Sequence, residues 1–271
     1  MAKQVSSRLL LNSLLLMIAA VLIYFIWYQP KQQIKNLSAS KSLFSIAAYQ
    51  ADAIQIQRDK KTNIVLRKNN DKWMLVEPGL APLSADRIKH LLTILNEPVV
   101  ATYDPKGKDL SQFGLAPAKI KLTISTTDQS EEATFGSTNP VTLNRYILKD
   151  NSIFTINEIV YGVLGTSVTQ LLAHHVLPDH LEIVDVVAPE LLAEIPTNFW
   201  QKVEAQDIAD YSGDETIIGK VKLTIQDTTN NKDSNQNIDF DIFSVEPSFV
   251  IGRPDLRVKY IFDQHVLNRV P

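Results

Sequence analysis

The chain has 271 residues, 45% of them hydrophobic and 8% aromatic, enough to bury a sizeable core. Its net charge of −3 is unevenly spread: Lys3, Arg8, Lys31 and Lys35 give the first 35 residues a local +4, and the difference leaves −7 for the rest, which repels phosphate backbones and argues against nucleic-acid binding. The absence of cysteine excludes disulfides, thiolate metal sites and cysteine nucleophiles.

From Leu9 to Tyr28 no residue is charged, and only Asn12 and Ser13 interrupt the apolar run. Twenty helical residues span ~30 Å, the thickness of a hydrocarbon core, so residues 9-28 are expected to be an uncleaved transmembrane anchor. Tyr24, Phe25, Trp27 and Tyr28 suit an interfacial belt, and Gln29-Pro30 ends the helix. The short head without acids is expected to stay in the cytosol, which places the body across the membrane. The expected divisions are 1-30 for tip and anchor, 31-43 for a connector, 44-178 for a first α+β unit and 179-271 for a shorter, strand-rich second unit.

Ala53 to Arg58 alternates strictly and reads as a half-buried strand. Strands at Asn63 to Lys68 and Lys72 to Glu77 follow, joined by the turn Asn69-Asn70-Asp71, in an antiparallel meander. Ser84 is placed to cap a helix with Asp86 in its first turn and Ile88, Leu91, Leu92 and Leu95 on one face. Leu110 to Phe113 forms a short helical turn closed by Gly114. Strands are expected at Lys119 to Thr126, Glu131 to Gly136, Arg145 to Leu148 and Ser152 to Ile156, and helical spacing returns from Glu158 to Leu172.

The second unit reads as a worn copy of the first. Ile54-Gln55-Ile56 and Trp73 align with Leu181-Glu182-Ile183 and Trp200, Lys119 to Ile124 with Lys220 to Ile225, and Tyr146-Ile147 with Tyr260-Ile261. The shorter interval between Trp200 and Lys220 predicts loss of the amphipathic helix from the copy. The polar stretch Asp227 to Asn237 is expected to be a hairpin loop. The fold class is therefore α+β: an N-terminal transmembrane helix, then mainly antiparallel sheet in two related halves, the first with one long amphipathic helix.

Trp73-Met74-Leu75-Val76-Glu77-Pro78, Ile88 to Leu95, Phe113-Gly114-Leu115-Ala116-Pro117, Phe135-Gly136, Tyr146 and Leu171 to Leu177 together resemble the bacterial domain of unknown function 4340 family over roughly residues 53 to 178. The resemblance implies no chemistry. It implies a single-pass inner-membrane protein with a periplasmic body that contacts other envelope proteins, as an accessory part of an ABC-type transport complex.

No catalytic, cofactor-binding or metal residue is assigned, and no cofactor is expected. His174, His175, Asp179, His180 and Glu182 lie within nine residues, but without metal-binding spacing they read as a solvated linker. There is no G-x-S-x-G elbow, Walker A run or G-x-G-x-x-G, so nucleotide binding is not indicated, and a hydrolase, which would need titratable groups converging around His174 to Glu182, is the less favoured alternative. Trp73 and Trp200 are expected in the core. If either lines an exposed concave patch, the alternative gains: a glycan- or peptide-binding module of the cell envelope.

Overall fold

The computed structural model describes residues 12, 14–21, 24, 41–192, 195–227, 235–263 and 265–267. The chain divides into two compact units, Met1–Lys41 and Ser42–Pro271. In the first, the described residues Asn12, Leu14 to Val21 and Tyr24 are helical and exposed. Among the described residues no helix is long and apolar enough to cross a membrane. An unbroken run from Leu14 to Val21 rises only ~12 Å, less than half a hydrocarbon core, and apart from Asn12 and Tyr24 the rest of the expected 9-28 anchor lies outside the described residues. The transmembrane helix, the membrane as a partner and the orientation derived from them are corrected accordingly.

The second unit holds two sheets, antiparallel throughout. The first has nine strands: β1 (Ala53–Arg58), β2 (Ile64–Asn69), β3 (Lys72–Glu77), β4 (Ala81–Pro82), β5 (Ala101–Tyr103), β6 (Ile120–Ser125), β7 (Ser130–Thr138), β8 (Asn144–Lys149) and β9 (Ser152–Asn157). They lie in the order β4-β3-β2-β1-β6-β7-β8-β9-β5. The alternation of β1 is realised directly, with Ile54 and Ile56 buried and Gln57 exposed. The β2–β3 and β8–β9 hairpins close through Asn70-Asp71 and Asp150-Asn151, all four with positive φ, which matches two-residue turns to the strand twist.

The second sheet contains β10 (Leu181–Val187), β11 (Asp207–Asp210), β12 (Gly219–Asp227), β13 (Gln236–Ser244), β14 (Val250–Arg253) and β15 (Val258–Ile261), ordered β10-β12-β13-β14-β15-β11. This is the order β1-β6-β7-β8-β9-β5 again, with β2 to β4 missing. The anchors of the expected alignment are met unevenly. β1 corresponds to β10 and β6 to β12, whereas Tyr146 and Tyr260 fall on non-equivalent strands β8 and β15. Residues 228–234 of the expected hairpin loop lie outside the described residues.

Four short helices accompany the sheets: α1 (Ala85–Leu92), α2 (Ile159–Leu164), α3 (Val168–Leu171) and α4 (Phe199–Lys202). The expected long amphipathic helix is thus eight α-helical residues followed by a 3-10 turn over Thr93–Asn96, burying Ile88, Leu91, Ile94 and Leu95. The span Glu158 to Leu172 is broken at Gly165 to Ser167, where Ser167 and Gln170 form a capping box for α3. Trp200 stands in α4, not in a strand. α4 stands before the edge strand β11 as α1 stands before β5, and among the described residues the second sheet has no counterparts of β2 to β4.

One hydrophobic core runs under both sheets. Between them an extended segment is stitched on both sides: Ala173 N donates to Pro82 O at 3.0 Å and Ala205 N to His174 O at 2.9 Å.

Residues 42 to 46 are pinned by a half-hidden ion pair. Glu131 meets Lys149 Nζ at 2.8 Å, with side chains 12% and 9% exposed, and accepts from the Ser45 and Ile46 amides at 3.1 Å. Burial pushes the Glu131 carboxyl up, but the bonds from Lys149 and Ser45 outweigh it and hold the group below its ordinary 4.5. A depressed folded value means that this stabilisation is present above pH 4.5 and is lost as pH falls through the folded value. Glu131→Gln is expected to cost about 2 kcal/mol at pH 7, and the difference from the unmodified protein should shrink below pH 4.5 in urea titrations. A gap independent of pH would remove the carboxylate charge from the account.

Candidate functional site

An apolar groove of about 710 Å³ lies between the hairpin end of β3 and α1. Strand parity explains the first wall. Trp73 shares the core face with Leu75, but it lies at the hairpin end beyond the two residues of β4, so its ring is only half-buried. Pro82 and Leu83 continue this side, and Ile88 and Leu92, one turn apart on α1, form the other.

The polar end of the groove comes from the stitched segment. Lys72 Nζ lies 2.8 Å from Asp179 Oδ2, and His175 Nε2 lies 3.0 Å from Glu204 Oε1. The hydrogen bond from Lys72, helped by the charges of Lys72, His175 and His180 against a smaller effect of burial, holds the Asp179 carboxyl below its ordinary range. His175 Nδ1 is buried and has no hydrogen-bond partner among the described residues.

Of the five clustered residues noted in the sequence, the structure brings His175, Asp179 and His180 to this groove. His174 turns the other way, its Nδ1 2.7 Å from Ala205 O, because consecutive residues of an extended segment point to opposite sides. Glu182 is exposed on β10. Among the described residues no group of three or more His, Cys, Asp or Glu is arranged to hold a metal ion.

Trp200 is wholly buried, as expected, but Trp73 is not. Three separate stretches, 71–74, 82–96 and 173–180, supply most of the groove, and their convergence has no local signal. A second cavity, of about 620 Å³, is lined by Arg67, Lys68, Asn237, Arg253 and Asp255 and is more polar. The Arg253 guanidinium there is already engaged by Asp255 and by Leu80 O.

Compared with known proteins, the chain matches no family model and shows no significant similarity to a curated protein or to a solved structure. The resemblance to the domain of unknown function 4340 family is corrected by this result. Its motifs are common local devices: Trp73 to Pro78 is a hairpin strand running into a turn, and Phe113-Gly114 is a 3-10 turn closed by a left-handed glycine with φ 65°. The membrane-anchored envelope role, the inner-membrane and periplasmic placement and the ABC-type transport partner fall with it and with the absence, among the described residues, of a helix long and apolar enough to cross a membrane.

Proposed function

We propose that the protein is a non-enzymatic binding module that takes a peptide, one apolar side chain of which seats in the groove between β3 and α1. The observation that carries this reading is Trp73, a large aromatic left partly exposed in the wall of an apolar cavity while Trp200 is wholly buried. Exposed aromatics in concave apolar settings supply much of the affinity of binding surfaces.

The chemistry of the walls favours a peptide over a glycan. A sugar needs several free hydrogen-bonding groups along its length, whereas Met74, Pro82, Leu83, Ile88 and Leu92 offer apolar side chains, and Lys72, Asp179 and the Thr93 hydroxyl are already engaged. Binding without turnover agrees with the engagement of those groups: Asp179 is held by Lys72 and His175 by Glu204, and the Thr93 hydroxyl donates to His90 O at 2.7 Å.

Trp73→Ala is expected to weaken binding of apolar peptides about ten-fold or more while moving the urea midpoint little, since the ring is only partly packed. Isothermal titration of the full chain and of the variant, against an array of blocked eight-residue peptides, reads both quantities. Equal affinity in the two proteins would remove the groove from the function.

A further inference from the structure

Resting on the peptide-binding reading above, we infer that the segment seated in the groove is the Pro140-Val141-Thr142-Leu143 loop of a second copy of this chain, with Val141 and Leu143 packed beside Trp73. The first observation is where apolar surface is left open. Among the described residues of the second unit, the four most exposed large apolar side chains are Val141 at 87%, Ile159 at 81%, Tyr49 at 78% and Leu143 at 67%. Asn144 pairs with Asn157 at the ends of β8 and β9, so Val141, Leu143 and Ile159 gather at one end of the first sheet. Tyr49 follows Ala48, which lines the groove. The three gathered side chains offer roughly a few hundred Å² of apolar surface, the scale of a recognition patch but less than the ~800 Å² per partner of a stable pair. The contact is therefore weak and depends on concentration.

The loop holds these side chains out instead of letting them fold back. Asn139 Oδ1 accepts from the Val141 amide at 2.9 Å and from the Thr142 amide at 3.2 Å. The Leu143 amide donates to Asn139 O at 2.9 Å, and Asn139 N donates to Asn144 O at 2.7 Å. Leu143 itself sits at φ 58°, a region that leucine rarely adopts. A tip fixed before it meets its partner loses less freedom on binding. Residues 139 to 144 carry no charge, and the neighbouring Glu158 is paired with Arg145. Such a tip enters an apolar groove without stripping water from an ion.

Strand register makes the contact intermolecular. Ala53 pairs with Arg67 and with Ser125, and Ser125 pairs with Ser130, which puts the β2–β3 hairpin at the end of the sheet where β1 and β7 begin. Thr138 pairs with Arg145, so the Pro140 to Leu143 tip lies at the other end. A six-residue strand is ~20 Å long, so no molecule seats its own fixed tip in its own groove. One copy gives its tip to the groove of the next.

The test is sedimentation velocity of the full chain from micromolar to submillimolar concentration, beside Trp73→Ala in the groove and Leu143→Asp in the tip. Aspartate tolerates a positive φ better than leucine, so the tip variant is expected to keep the fold, with its urea midpoint unchanged or raised. The unmodified chain is expected to grow in mass with concentration, and each variant alone to need about ten-fold more protein for the same growth. Mixed in equal amounts the two variants are expected to pair, because the intact tip of Trp73→Ala fits the intact groove of Leu143→Asp. Association that either variant leaves unchanged, or a mixture that pairs no better than its parts, would overturn the second copy as occupant. An unmodified chain that stays monomeric yet binds peptides of the array overturns this inference alone. One that neither associates nor binds any peptide removes the function it rests on as well.

Discussion

Trp200→Ala is expected to lower the unfolding free energy by about 3–5 kcal/mol, the range for truncating a large buried aromatic. Trp200 is 0% exposed and lies against Phe199, Phe240 and Phe249 at centroid distances of 5.4, 5.8 and 6.5 Å. Phe249 in turn stacks on Phe262 at 5.5 Å, so one ring in a four-residue helix joins α4 to the sheet's own aromatic layer. The hole left by alanine has sheet residues for part of its wall, and their backbone ladder leaves little room to collapse inward. Trp200 Nε1 has no hydrogen-bond partner among the described residues, so Trp200→Phe sheds an unsatisfied donor while keeping most of the contact, and is expected to cost under half as much. Urea titration of both variants beside Trp73→Ala is expected to separate the two tryptophans, with a large loss of stability at Trp200 and a small one at Trp73. A Trp200→Ala variant as stable as Trp73→Ala would place the aromatic layer outside the cooperative core.

Much of the first sheet was legible in the sequence, for identifiable physical reasons. β1 and β2 each bury one face, so their alternation is written in Ile54 and Ile56 and in Ile64 and Leu66, and the turn residues between β2 and β3 are those that tolerate positive φ. In the second sheet β10 and β12 were legible from their alternating apolar residues, whereas β13, nine residues long, was not. The alignment of Trp200 with Trp73 of β3 hides a helix, because four helical residues complete barely one turn, too little for a 3.6 period to show. The pairing of Tyr146 with Tyr260 failed because a Tyr-Ile pair recurs in strands without marking equivalent ones. The groove was legible only in fragments. Trp73 and the His175 to His180 stretch were both noted, but about 100 positions separate them, and only the meeting of β4 with the extended segment brings them together. The uncharged run from Leu9 to Tyr28 is a real property of the sequence, yet length and hydropathy report a capacity, and no membrane-spanning helix is present among the described residues.

A comparable effect is expected at a residue that is not apolar. Arg253 is a charged side chain only 1% exposed, held by Asp255 through paired bonds of 2.9 and 2.7 Å, and it also donates to Leu80 O at 3.1 Å. The guanidinium lies 5.4 Å from the centroid of Phe240, inside the same aromatic layer that Trp200 anchors. Gly79 belongs to this arrangement, since a Cβ there would stand 2.1 Å from Asp255 Oδ2, and its absence lets the turn after β3 approach the carboxylate. Removing the partner while leaving the buried charge is the costly change, so Asp255→Ala is expected to destabilise by about 3 kcal/mol or more. Arg253→Met should cost less, because Asp255 is 42% exposed and water can solvate the carboxylate left behind. The double variant is expected near Arg253→Met alone, well short of the sum of the two, since the damage done by Asp255→Ala exists only while the guanidinium remains. Urea titration of the three proteins gives the cycle directly. Additive losses would mean that the two side chains act separately, and that the tie from β14 to the Leu80 carbonyl, rather than the ion pair, is what Arg253 contributes.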